Sequence, residues 1–319
     1  MDKIQRVRSA IAGHEVDRIP AGFWTHFPPA ASTGRAMADA HLDFYRRSGV
    51  DFVKVMNDNP YRLVGLDRID RPSDWRRLRP EPRDSSGRLA YLDGVKAILD
   101  AVGHEALVIV TVFNPFATAN DNRSGSLDFS DMSFDGISAH LREDPESTSV
   151  GLEVIAESLA MLAVDCVEAG AAGVFFSANG AERGRFSEEQ FERHIARTDR
   201  VVLDAARAAG ATFNLLHVCG ADQRLEAYAG HAVDVVNWAP QMGNPSLVEG
   251  RRLLGKTVLG GLDQSGPLST ASRPAIEREV REAVAASGAR GFMLGAGCAV
   301  TGEVDPEVFA WARDAAMIT

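Results

Sequence analysis

Cysteine is scarce in this chain: 319 residues carry three, an odd count too small for a disulfide framework. Cys166, Cys219 and Cys298 are therefore expected to be free thiols in a reducing compartment, with the cytoplasm as the simplest location. No stretch approaches the roughly 18–20 apolar residues that a membrane span requires. The opening Met1-Asp2-Lys3-Ile4-Gln5-Arg6 starts an amphipathic helix and lacks the apolar core of a signal peptide. A basic excess is missing too. Lys and Arg number 34 against 44 Asp and Glu, and the net charge of −10 argues against nucleic acid or anionic lipid as a partner. There is no low-complexity tract, and the 45% apolar and 24% charged content is that of an ordinary soluble protein.

What the chain does have is a recurring alternation. Short apolar, β-branched runs at residues 19–27, 51–56, 107–113, 173–177, 212–217, 233–238, 257–262 and 291–294 end in polar residues, with helical spacing between them. Near-continuous apolar runs are what parallel strands covered by helices require. The segments 152–169, 187–209 and 273–287 have helical spacing, and Ser187 followed by Glu188 and Glu189 reads as an N-cap with acids in the first turn. Eight such units predict an α/β fold of the (β/α)₈ TIM-barrel type, a single domain over residues 1–319 with an N-terminal helix. Two connections are long. Residues 57–104 include the arginine-rich stretch 71–88, expected to be a solvated face, and 114–146 is polar enough to serve as a lid.

In such barrels the chemistry comes from the C-terminal ends of strands. Those positions hold His26, Asn57, Asp58, Asn114, Ser177, Asn179, His217, Cys219, Asn237, Trp238, Asp263 and Cys298. The sharpest feature is His217-Val218-Cys219-Gly220. Residues i and i+2 of a strand project to one side, so imidazole and thiolate can reach one ion, and Gly220 lets the chain turn away. Cys298, between Gly297 and Ala299 after the last strand, completes a soft three-ligand set that favours zinc with one coordination place open. Free cysteines are more often small buried hydrophobes, and Cys166, on the apolar face of a helix, is expected to be one. Asp58 and Asp263 are candidate acid–base groups, with an Asx-turn or N-cap role as the alternative for each. Trp24, His26, Asn57, Asn114, Asn179 and Asn237 are candidates for binding a small-molecule substrate. No role is assumed for the remaining histidines, His14, His41, His104, His140, His194 and His231.

At these residues the chain resembles the uroporphyrinogen decarboxylase superfamily, which includes decarboxylases and zinc-dependent corrinoid methyltransferases. The likeness runs through Arg6-Val7 with Ala10, Asp17-Arg18-Ile19-Pro20, the region 52–65 around Asp58, the His217–Gly220 turn, Gly260-Gly261-Leu262-Asp263, and the stretch 292–298 followed by Asp305-Pro306-Glu307. It implies a (β/α)₈ barrel, in a monomer or homodimer. The decarboxylases carry an arginine motif after the first strand, whereas here Phe23-Trp24-Thr25-His26-Phe27-Pro28-Pro29 has no arginine before Arg35. Without a guanidinium there is little to hold a many-carboxylate tetrapyrrole. The resemblance to the methyltransferase branch instead implies Zn²⁺ on His217, Cys219 and Cys298, and transfer of a methyl group from a corrinoid, on a partner protein or free, to a thiol- or folate-type acceptor. The alternative it leaves open is a lyase acting on a porphyrinogen or smaller carboxylic acid through Asp58. The stretch ending Asn237-Trp238 offers no glutamate as a fourth ligand.

Overall fold

A computed structural model describes residues 1–59, 61–124, 134–300 and 302–317, with only the backbone of 121–124. Seven apolar runs form strands: β1 Phe52–Val55, β2 Leu107–Phe113, β3 Gly173–Ala178, β4 Leu215–Val218, β5 Val235–Asn237, β6 Thr257–Leu262 and β7 Phe292–Ala296. All pair in parallel in chain order. β1, β3, β4, β5 and β7 are buried at every residue, as a sheet covered on its outer face by helices requires. The result is a curled, TIM-like parallel sheet.

The expected first strand, 19–27, is the main departure. It makes a single parallel bridge, Ala21 to Leu294 on β7. Gly22 N–H donates to the Leu294 carbonyl and Leu294 N–H to the Pro20 carbonyl, each at 2.9 Å, while Asp51 N–H donates to the Ala21 carbonyl at 2.8 Å. The segment therefore touches both edges of the sheet, at β7 and just before β1. A regular ladder fails for two reasons. Pro20 has no N–H to give, and the Ala21 N–H donates to the Asp51 carboxylate (2.8 Å) rather than to a backbone carbonyl. Gly22 is required here because the Phe52 ring occupies the space a β-carbon would take, 2.2 Å away. Phe52 in turn packs edge-on against Phe213 at 5.1 Å inside the sheet.

The helices follow their sequence signals. Lys3–Ile11 is capped reciprocally by Asp2 and Gln5. Ser187 caps Glu188–Phe191 in the same way with Gln190, and the chain continues through a π-helical turn, Glu192–Ala196, into Arg197–Ala208. The stretch 71–88 corrects the expectation of a solvated face. Its arginines 71, 76 and 77 are exposed, but Trp75 is wholly buried, its ring against Gly151 of the helix Pro145–Glu168, and Arg88 is buried against Asp165. The pattern of charges hid the apolar anchor between them. The connection 114–146 holds two helices, Pro115–Ser124 and Asp135–Glu143, while 125–133 lies outside the described residues. Cys166 is fully buried, its thiol pushed up to about 12 by desolvation. Among the described residues no helix is long and apolar enough to cross a membrane.

Candidate metal centre

His217 is the penultimate residue of β4 and Cys219 follows the strand directly, so the two-residue period of extended backbone sends both side chains the same way. Gly220, at φ +106°, then turns the chain aside through a conformation that suits glycine. Cys298 lies two residues beyond β7, held there as Gly297 N–H donates to the Leu262 carbonyl and Val300 N–H to the Trp24 carbonyl. The His217 nitrogen and the two sulfurs all fall within 4.8 Å of one another, the one such convergence of three metal-ligating side chains among the described residues. Nε2 of His217 is 3.5 Å from Cys298 Sγ.

The orientation of His217 is set by a residue behind it. Asn237 on β5 is fully buried, and its amide nitrogen donates to the Leu259 carbonyl on β6 and the Ala296 carbonyl on β7, each at 2.9 Å. With NH₂ committed to two carbonyls, its oxygen must be the atom facing His217 Nδ1 at 2.6 Å. Nδ1 therefore carries the proton and Nε2 presents its lone pair toward the sulfurs, the arrangement second-sphere partners of metal-bound histidines supply. The two thiols share a hydrogen bond. Cys298 is held well below the ordinary thiol range by that bond, and Cys219 is correspondingly raised, with burial adding to the rise.

A cavity of about 260 Å³ opens above His217, Cys219 and Cys298. Trp24, Phe113, Phe134, Phe175 and Met56 form apolar walls, and Asn179 reaches in to hydrogen-bond Cys219. Lys54, which the sequence reading passed over, lines the same cavity from β1. It is buried, donates to Met56 Sδ at 2.8 Å and sits 4.5 Å over the Phe175 ring. Burial pushes its ammonium down to about 7, with Asp58 and Cys298 pulling back up. A lysine between two valines of a covered strand was the available signal: no solvated face exists there for it. No arginine lines this cavity among the described residues, and Arg35 is spent on Asp39 at the surface.

The other candidates are placed differently. His26 lines the cavity and its Nδ1 lies 3.0 Å from both oxygens of Asp58, which stands half-buried beside it at the mouth. Asn57 accepts from Asn59 and faces a neighbouring cavity instead. Asn114 is turned inward, where its oxygen accepts from Ala117 N–H to cap the helix Pro115–Ser124 and its nitrogen donates to the Asn179 carbonyl and to Asp199. Asp263 accepts from Gln241 and from Ser265 N–H on the rim after β6, outside the cavity. His41, for which no role was assumed, holds the exit of β1. Its Nδ1 donates to the Met37 carbonyl at 2.7 Å and its Nε2 accepts from Met56 N–H at 2.8 Å.

A family model for uroporphyrinogen decarboxylase (URO-D) matches residues 64–317. The chain belongs to the uroporphyrinogen decarboxylase family. A search of curated proteins gave no match. Among solved structures, a methyltransferase from Methanosarcina mazei is similar over 99% of this chain and 98% of its own, with a TM-score of 0.75 at 17% identity. A B12-independent methionine synthase from a Shewanella species, solved with selenomethionine, is similar over 93% of this chain and 97% of its own, with a TM-score of 0.59 at 13% identity. At these identities the likeness is one of fold.

Proposed function

We propose that this member of the family is a zinc-dependent methyltransferase, and that the segment 19–24 completes its sheet as the eighth strand of a closed (β/α)₈ barrel. The observation that carries the functional reading is the convergence of His217, Cys219 and Cys298 at the floor of an apolar cavity. The donor set fits zinc. One imidazole and two thiols are its preferred ligands, and tetrahedral zinc sites separate neighbouring N and S ligands by about 3.5–3.8 Å, against 3.5 Å between His217 Nε2 and Cys298 Sγ. Bound there with one place open, zinc would supply Lewis acidity that deprotonates a coordinated acceptor thiol.

The chain's own residues supply the rest. Asn237 fixes the tautomer and aim of His217. Trp24, Phe113 and Phe175 exclude water from the sulfur that is to attack, which strengthens every charge interaction inside. Lys54, its ammonium pushed down to about 7 by burial, is drawn to its charged form by an anionic group on the acceptor, and His26 with Asp58 lines the mouth where a methylated corrinoid, or another methyl donor, would approach. Among the described residues no arginine lines the cavity, which disfavours a many-carboxylate tetrapyrrole.

Metal analysis of the purified protein tests this reading. One zinc per chain is expected, with metal content and thiol methylation both lost in Cys298→Ser. The rival is a carboxy-lyase using Asp58, favoured by the placement of that carboxylate against His26. It predicts a chain active after chelation and disabled by Asp58→Asn, and that result would overturn the methyltransferase.

A further inference from the structure

A second cavity, of about 90 Å³, lies beside the first and shares one lining residue with it, Phe113. Its floor comes from the helix Ser86–Val102, where Arg88 and Tyr91 are spaced i, i+3 and so present neighbouring side chains on one face. Both are more than nine-tenths buried. Arg88 is clamped from one side, as Nε and Nη2 both donate to Asp165 Oδ2 at 2.9 and 2.5 Å. Its remaining nitrogen, Nη1, is buried without a partner, and so is the Tyr91 hydroxyl. Burial pushes that hydroxyl well above the ordinary phenol range, so it stays a donor. Two unpaired buried donors of one helix face, on residues that line a single cavity, are an exception that folded proteins seldom leave uncompensated.

The rest of the lining narrows the partner. Tyr61 and Ser158 are engaged with each other and with the Glu81 N–H, and Arg62 lines the cavity from an exposed position, so Arg88 and Tyr91 are its buried donors without a partner. Leu159, Leu162 and Phe113 supply apolar wall. Glu81 also lines the cavity and already accepts from Ser85 (2.5 Å), and its charge weighs against a multiply charged anion. We propose that this cavity binds a small aliphatic monocarboxylate, one oxygen on Arg88 and the other on Tyr91, with its alkyl end against Leu159 and Leu162. A guanidinium locked by one carboxylate and open to a second is a preorganised receptor for such a group. The inference is independent of zinc, since Phe113 stands between the two cavities.

Titration of sodium propionate into the purified protein, followed calorimetrically before and after zinc chelation, tests it. Saturable binding that survives chelation is expected, about tenfold weaker in Tyr91→Phe through loss of one hydrogen bond to a charge, and abolished in Leu162→Trp, which fills the space. Without propionate, Tyr91→Phe is expected to melt no lower than the parent, because the hydroxyl it removes has no partner. A response linear in propionate, as for a cavity holding water only, overturns the proposal. So does equal affinity in Tyr91→Phe, or binding that disappears with the metal. Failure of the zinc reading alone would leave these outcomes unchanged.

Discussion

At the scale of single residues, the site divides into groups that would touch a ligand and groups that aim them. His217, Cys219 and Cys298 were legible from sequence because extended backbone repeats every two residues, so His-x-Cys at a strand end states its own geometry. Asn237 was legible only as a polar residue at a strand end, and its role depends on three partners brought from β4, β6 and β7. The sequence placed it among substrate-binding candidates; the structure turns it away from the cavity to hold His217. Asn237→Ala is expected to leave the fold assembled but to release the imidazole, lowering zinc affinity by about 10- to 100-fold. Competition with a chromophoric chelator measures this, and an unchanged affinity would remove Asn237 from the centre. Lys54 was missed for the opposite reason: its signal, a charge inside a covered strand, is an exception to pattern and not a pattern.

At the scale of elements, the exit of β1 shows how a helix can govern a cavity wall. His41 on the helix Gly34–Ser48 accepts the Met56 N–H, and Met56 lines the metal cavity. The imidazole must be neutral to accept, and burial together with the nearby Lys54 charge depresses it to about 4 from 6.5. A depressed histidine contributes its stability in full above the unfolded value of 6.5 and loses it as pH falls toward 4, because the unfolded chain takes up the proton first. Between about pH 7 and pH 4 the loss from this one group is about 3 kcal/mol. Urea unfolding of the parent and of His41→Gln across that range checks it: the variant is expected to show a shallower pH dependence by about that amount, and superimposable slopes would contradict the assignment. His231, also lowered to about 4, titrates in both proteins and cancels from the comparison. No sequence rule reaches this bond. A helical histidine is read as unremarkable until the strand it meets is known.

At the scale of the molecule, chemistry and cohesion occupy opposite ends of the sheet. Parallel strands buried on both faces read as apolar runs, and that is why seven of the expected eight emerged from sequence near their observed bounds. The segment 19–27 kept its place but not its ladder, because a side chain substitutes for a backbone acceptor. That side chain is Asp51, wholly buried just before β1 at the end away from His217, Cys219 and Cys298. It accepts from Arg6 Nη1 (2.8 Å), from Arg18 Nη1 (2.7 Å) and Nη2 (2.8 Å), and from Ala21 N–H (2.8 Å). One carboxylate thus ties the N-terminal helix and the segment 19–24 to β1, which gives a structural reason for Arg6 and Arg18 where they stand. In such barrels that end of the sheet serves stability, while the other end carries function. Asp51→Asn preserves shape but takes the counter-charge from the half-buried Arg18 and one of two from Arg6, which keeps Asp17, and breaking such a pair costs about 3 kcal/mol. Urea unfolding is expected to register that loss, while the zinc content of the folded variant stays at the parental level, because nothing in the ligand set touches Asp51. A variant that lost its metal yet kept its stability would show that the two ends of the sheet are not divided in this way.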